Sequence, residues 1–100
     1  AGISLQEGSL YMEHVQALRC TADSDSYGGF LYVSVNQVAT TNYSLFDDNY
    51  AKYGGAVCNV GHYSGSNNTY TNNGWSRGAI FNTLSTCYLN NNIFKNNFWF

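Results

Sequence analysis

Apolar and polar positions recur along this chain in a fixed order. The order is clearest at Phe46-Asp47-Asp48-Asn49-Tyr50-Ala51-Lys52-Tyr53-Gly54-Gly55-Ala56-Val57. There an aromatic-x-x-Asn segment runs into a short polar corner, and small residues then step into an aliphatic strand. The pattern returns as Tyr70-Thr71-Asn72-Asn73 followed by Arg77-Gly78-Ala79-Ile80, and begins again at Phe94-Lys95-Asn96-Asn97. Upstream, Cys20-Thr21-Ala22-Asp23 leading to Gly28-Gly29-Phe30-Leu31 reads as a degenerate copy. An internal repeat of this kind decides architecture before local propensity does.

Two columns follow from the alignment. The aromatic column takes position 20 (a cysteine), then Phe46, Tyr70 and Phe94; the aliphatic column takes Ile3, Leu31, Val57 and Ile80. Repeats of this length are made by leucine-rich repeats or by β-solenoid coils. The leucine framework is missing, and the segments between columns are rich in Asn, Gly, Ser and Tyr, which are poor helix formers. The chain is therefore expected to be all-β: a β-solenoid of about four coils of 23–28 residues.

In such a solenoid each coil lies about 4.8 Å above the last, so equivalent side chains stack. Leu31, Val57 and Ile80 are expected to form an aliphatic stack, and Phe46, Tyr70 and Phe94 an aromatic one. Asn49, Asn73 and Asn97 are expected to stack at a bend, where their amides bond one another and the turn backbone. Glycines 28, 29, 54, 55 and 78 let the backbone leave the corner without a side-chain clash. Strands are predicted at Ile3–Leu5 and Leu10–Met12, over Phe30–Val35, from Asn42 to Phe46, from Gly54 to Val60 and from Ala79. Asn36 to Thr41 reads as a turn, Gly61–Asn67 as an excursion, and residues 20–27, with Asp23 and Asp25, as a polar corner. The first coil resembles the others least, as a capping coil does.

Composition narrows the class. The 100 residues suit one small domain, and 44% hydrophobic with only 10% charged argues against disorder. Aromatics reach 17%, which favours strands, and the lack of proline suits an unbroken ladder. A net charge of −2 leaves no footprint for nucleic acid. No apolar run is long enough to span a bilayer, so no membrane insertion by this segment is expected. The chain opens Ala1-Gly2-Ile3 on the aliphatic step of one coil and stops just before the next. It is read as one β-helix segment, residues 1–100, of a longer solenoid or a stacked assembly; a set of whole coils is the plainer alternative. Cys20, Cys58 and Cys87 fall in different columns without CxxC spacing, which points to free, mostly buried thiols rather than a zinc site or a disulfide ladder.

Candidate chemistry is sparse. Asp47 and Asp48 are adjacent and could join a calcium site or a carboxylate pair, but solvated corner residues are the simpler reading. Lys52, four residues from Asp48, looks like a surface ion-pair partner. His14 and His62 sit in different coils, and no G-x-S-x-G context surrounds any serine. No catalytic residue, metal ligand or cofactor site is expected, and the segment is read as non-enzymatic. Two sequons, Asn42-Tyr43-Ser44 and Asn67-Asn68-Thr69, are glycosylation candidates, with Asn67 in the Gly/Ser-rich excursion the better placed. Tyr63, Trp75 and Trp99 are expected at the surface, stacking on sugars, packing on a partner, or capping corners.

The pairing of Phe46-x-x-Asn49 with Gly54-Gly55-Ala56-Val57, and Phe94-x-x-Asn97 after it, resembles the double motif of polymorphic outer-membrane protein and autotransporter-adhesin repeats. It is also similar to pectin-lyase-like repeats of large secreted proteins. The resemblance covers about residues 20–97; Arg77 in place of the first glycine and Cys20 in place of the aromatic depart from it. It implies a right-handed parallel β-helix, extracellular or at the cell surface, with an adhesive or scaffolding role. The expected partners are self or neighbouring coils through open ends, and possible glycans. A carbohydrate-binding or polysaccharide-lyase-like module is the competing expectation.

Overall fold

A computed structural model of the chain describes residues 1–22, 25–74, 78–83 and 85–97. Twelve short strands wind through four coils: β1 (Ile3–Leu5), β2 (Ser9–Glu13) and β3 (Gln16–Leu18), then β4 (Leu31–Val33), β5 (Val38–Asn42) and β6 (Leu45–Asp47). The third coil holds β7 (Val57–Asn59), β8 (His62–Ser66) and β9 (Thr69–Thr71), and the fourth β10 (Ile80–Asn82), β11 (Thr86–Asn90) and β12 (Ile93–Lys95). Equivalent strands pair in parallel into three four-stranded sheets, β1-β4-β7-β10, β2-β5-β8-β11 and β3-β6-β9-β12. The described chain is an all-β parallel solenoid of four coils.

The aliphatic column is in register as expected: Ile3, Leu31, Val57 and Ile80 are successive partners. Leu31 and Val57 are wholly buried, as is Val33 beside them, and each such side chain contributes about 1.5–3 kcal/mol by leaving water. The aromatic column holds Phe46, Tyr70 and Phe94, with ring centroids 4.8 and 4.6 Å apart and planes within 6° and 5°.

Its first member is Ala17, not Cys20. A 29-residue first step separates Ala17 from Phe46, longer than any spacing read from the sequence, and it moves Cys20 into the asparagine column opposite Asn49. The small Ala17 leaves room for Phe30, whose ring lies 5.6 Å from that of Phe46 at 56° and closes the stack. Position 20 was misassigned because the aromatic is supplied from another part of the coil.

Two further expectations give way. Asn36 to Thr41 is mostly strand, since β5 starts at Val38, and only Ser34 to Gln37 turns. The Gly61–Asn67 excursion is strand β8, paired with β5 on one side and β11 on the other. Its polar composition misleads because alternate residues point out to solvent while Tyr63 and Gly65 point in.

Candidate functional site

Two corners of each coil are built the same way. An exposed or half-exposed residue in the left-handed conformation turns the chain, and the next side chain points inward. At the corner before the third sheet these turning residues are His14, Tyr43, Asn67 and Asn91, with φ between 49° and 56°. At the corner after it they are Arg19, Asp48, Asn72 and Asn96, with φ between 53° and 57°. Asparagine suits the first role because it tolerates this region, and the second because its amide satisfies turn backbone.

The inward amides form ladders. Asn49 Nδ2 donates to Ala17 O at 2.9 Å, Asn73 Nδ2 to Phe46 O at 2.7 Å, and Asn97 Nδ2 to Tyr70 O at 2.8 Å. Each Oδ1 accepts from the backbone of the coil before it: Cys20 N–H to Asn49, Asn49 N–H to Asn73, and Asn73 N–H to Asn97. The expected stack of Asn49, Asn73 and Asn97 is thus in place.

A second ladder, at the other corner, escaped the sequence reading. Ser44 N–H donates to Asn68 Oδ1 and Asn68 N–H to Asn92 Oδ1, both at 2.9 Å. Its signature was visible: Asn67-Asn68-x-Tyr70-x-Asn72-Asn73 and Asn91-Asn92-x-Phe94-x-Asn96-Asn97 carry asparagine pairs five residues apart. Asn59 and Asn82 make a third amide contact at 2.6 Å.

Tyr63 corrects another expectation. It is 1% exposed, and its hydroxyl lies 2.7 Å from Thr41 Oγ1 and 2.5 Å from Tyr70 Oη. Asn68 Nδ2 adds bonds to Thr41 O and Oγ1. Gly65 makes the space, since a Cβ there would come within 2.8 Å of Tyr70 Oη. Burial pushes both tyrosines above their usual range, Tyr63 furthest. Nothing in the local sequence announces this network. Trp75, Trp99, Asp23 and Arg77 lie outside the described residues.

The outside of the first sheet carries a smaller aromatic cluster. Tyr32, Cys58 and Phe81 share an outward column. Tyr27 and Tyr53, bridged from the corner, stack at 4.8 Å, and Tyr53 reaches Phe81 at 5.3 Å. Cys58 is wholly buried, and burial pushes its thiol up to about 12. Cys87, half-buried, is raised for the same reason. The three cysteines are free thiols in different columns.

Two open grooves flank these features. One, about 420 Å³, runs along the corner of His14, Tyr43 and Asn67, where His14 and Tyr43 stack at 5.4 Å. The other, about 360 Å³, lies between Tyr27 and Tyr32, with Ser4, Gln6 and Asp25 on its walls. Asn67 is exposed, whereas Asn42 closes β5 half-buried, with its amide 3.3 Å from Tyr11 Oη.

The charged groups do not converge. Lys52 pairs with Asp25 at 3.3 Å rather than with Asp48, because the corner folds back on the preceding coil. That hydrogen bond holds its ammonium above the usual lysine range. Asp47 accepts from Asn72 Nδ2 at 3.0 Å. Among the described residues no three His, Cys, Asp or Glu side chains gather as a metal site, and His14 and His62 stand in different coils and columns.

No protein-family model, curated protein or solved structure matches this chain.

Proposed function

We propose that this chain is a structural module, a stretch of β-solenoid serving an extracellular surface or filament protein in an adhesive or scaffolding role, without catalysis of its own. The carrying observation is the destination of its polar groups. The buried amides and hydroxyls of Asn49, Asn68, Asn73, Thr41 and Tyr63 are spent on holding coil to coil. A solenoid cross-linked in this way is a rigid spacer. The resemblance to outer-membrane and adhesin repeats supports the same reading, including a place outside the cell.

The test is electron microscopy of the native material with intact mass measured beside it. Filaments, or a parent chain far heavier than 11.1 kDa, are expected. A compact 11.1 kDa monomer would count against an assembled scaffold.

A second reading, a carbohydrate-binding module, is favoured by the groove between Tyr27 and Tyr32. There aromatic surface lies beside hydroxyl, amide and carboxylate groups, a mixture suited to sugar rings. A glycan array decides it: binding lost on Tyr27→Ala would establish this reading, and a blank array would remove it.

A further inference from the structure

The amide ladders have a direction. Every column asparagine reaches toward the coil before its own: Asn73 to Asn49 and Phe46, Asn97 to Asn73 and Tyr70, Asn68 to Ser44 and Thr41, Asn92 to Asn68 and Gly65. In the first coil these positions hold Cys20 and Val15, whose side chains offer no amide to a coil placed before them. The aromatic column is closed on that side by the tilted Phe30 above Ala17.

The opposite end is open. Phe94 has one ring face on Tyr70 and is 46% exposed, and Ile93 beside it is 59% exposed. Strands β11 and β12 each pair on one side only. The backbone N–H groups of Asn92 and Asn97 have no acceptor among the described residues, although those of Asn68 and Asn73 each end on an amide oxygen. A second copy stacked head to tail would set these N–H groups against Val15 and Cys20, and Phe94 against Ala17. Two buried donors would then go unsatisfied, a costly outcome.

We infer that the C-terminal end of the solenoid is a directional docking face for a β-arc of another polypeptide. That segment carries paired asparagines around an aromatic, in the pattern N-N-x-aromatic-x-N-N. Its strand adds to the open edge of β12, its ring covers Phe94, and its inner asparagines take the N–H groups of Asn92 and Asn97. This is strand addition with a side-chain code. The inference rests on the structural reading above and makes assembly one-way, by added coils rather than by head-to-tail copies.

The test titrates the isotopically labelled 100-residue chain with a synthetic peptide of residues 85–97, Cys87→Ser. A control peptide also carries Asn92→Val and Asn97→Ala. Amide hydrogen exchange is read at Asn92 and Asn97. The first peptide is expected to slow both amides about tenfold, while the control leaves them unchanged. The inference is overturned if the first peptide gives no protection at millimolar concentration, or if both peptides protect equally. It is also overturned if the chain alone sediments as head-to-tail oligomers. That last result would keep the structural reading alive, and a blank peptide titration beside native filaments would do the same. Glycan binding without filaments would remove the structural reading itself.

Discussion

Asn73 Oδ1 accepts two hydrogen bonds from Asn49: the backbone N–H at 3.0 Å and Nδ2 at 2.9 Å. The same Asn73 donates its own amide to Phe46 O at 2.7 Å, and its side chain is fully buried. One residue thus closes three polar groups between two coils.

Asn73→Ala should therefore cost about 3 kcal/mol or more, since each buried group left unpaired costs about 1–3 kcal/mol. Its neighbour Asn72 is exposed and serves mainly as the left-handed turn; Asn72→Ala should cost about 1–2 kcal/mol. Urea unfolding of the two variants measures the difference, and equal costs would show that the ladder holds nothing together.

Gly54 and Gly78 share a φ of 71°, yet only one is crowded. A Cβ at Gly54 would come within 2.0 Å of Val57 O, whereas one at Gly78 meets nothing within 4 Å. Gly78→Ala should lose about 1–2 kcal/mol from backbone conformation alone. Gly54→Ala must move the corner as well and should lose distinctly more, read as a larger drop in thermal midpoint. A smaller drop at Gly54 would contradict the packing.

Removing the hydroxyl of Tyr63 by Tyr63→Phe breaks its bonds to Thr41 and Tyr70 in a dry core. A loss of about 1–3 kcal/mol is expected, with the fold retained. Gly65→Ala should damage the same network by occupying its space. Circular dichroism with chemical unfolding checks both, and an unchanged midpoint for Tyr63→Phe would mean the hydroxyls are satisfied by water instead.

Alkaline pH should unfold the protein early. Burial raises the folded-state pKa of Tyr63, Tyr70, Cys58 and Cys87 above model values of 10.0 for tyrosine and 9.0 for cysteine. Above those values the unfolded chain has released protons that the folded chain still holds, so rising pH favours unfolding. The contribution is complete below about pH 8 and is lost as pH climbs past about 9, at about 1.4 kcal/mol per pH unit for each group. Thermal midpoints across that range test the sign. A midpoint that rises with pH would refute it.

Asn67 is the exposed sequon and Asn42 the strand-bound one. Expression in a glycosylating host should add one glycan, removed by Asn67→Gln and untouched by Asn42→Gln. Peptide mapping reads this directly, and occupancy at Asn42 alone would show that strand β5 opens before the glycan is added.

The periodicity of Leu31, Val57 and Ile80, and of Phe46, Tyr70 and Phe94, was enough to specify stacked coils, because a parallel ladder puts equal residues at equal heights. The recurrence of Asn49, Asn73 and Asn97 likewise announced a stack, since an amide repeated at a corner has one obvious partner above and below. The first coil was another matter. Its aromatic is Phe30, brought over Ala17 by the path of the corner, and no spacing rule expresses a ring contributed from a different column. Tyr63 was hidden in the same way: its Gly- and Ser-rich surroundings look like a loop until strand pairing turns alternate residues inward. The pairing of Lys52 with Asp25 rather than Asp48 depended on where the corner folds. Columns are a property of sequence because stacking repeats them, whereas closure, burial and ion pairing are set by how the loops between columns return, and only the tertiary structure decides that.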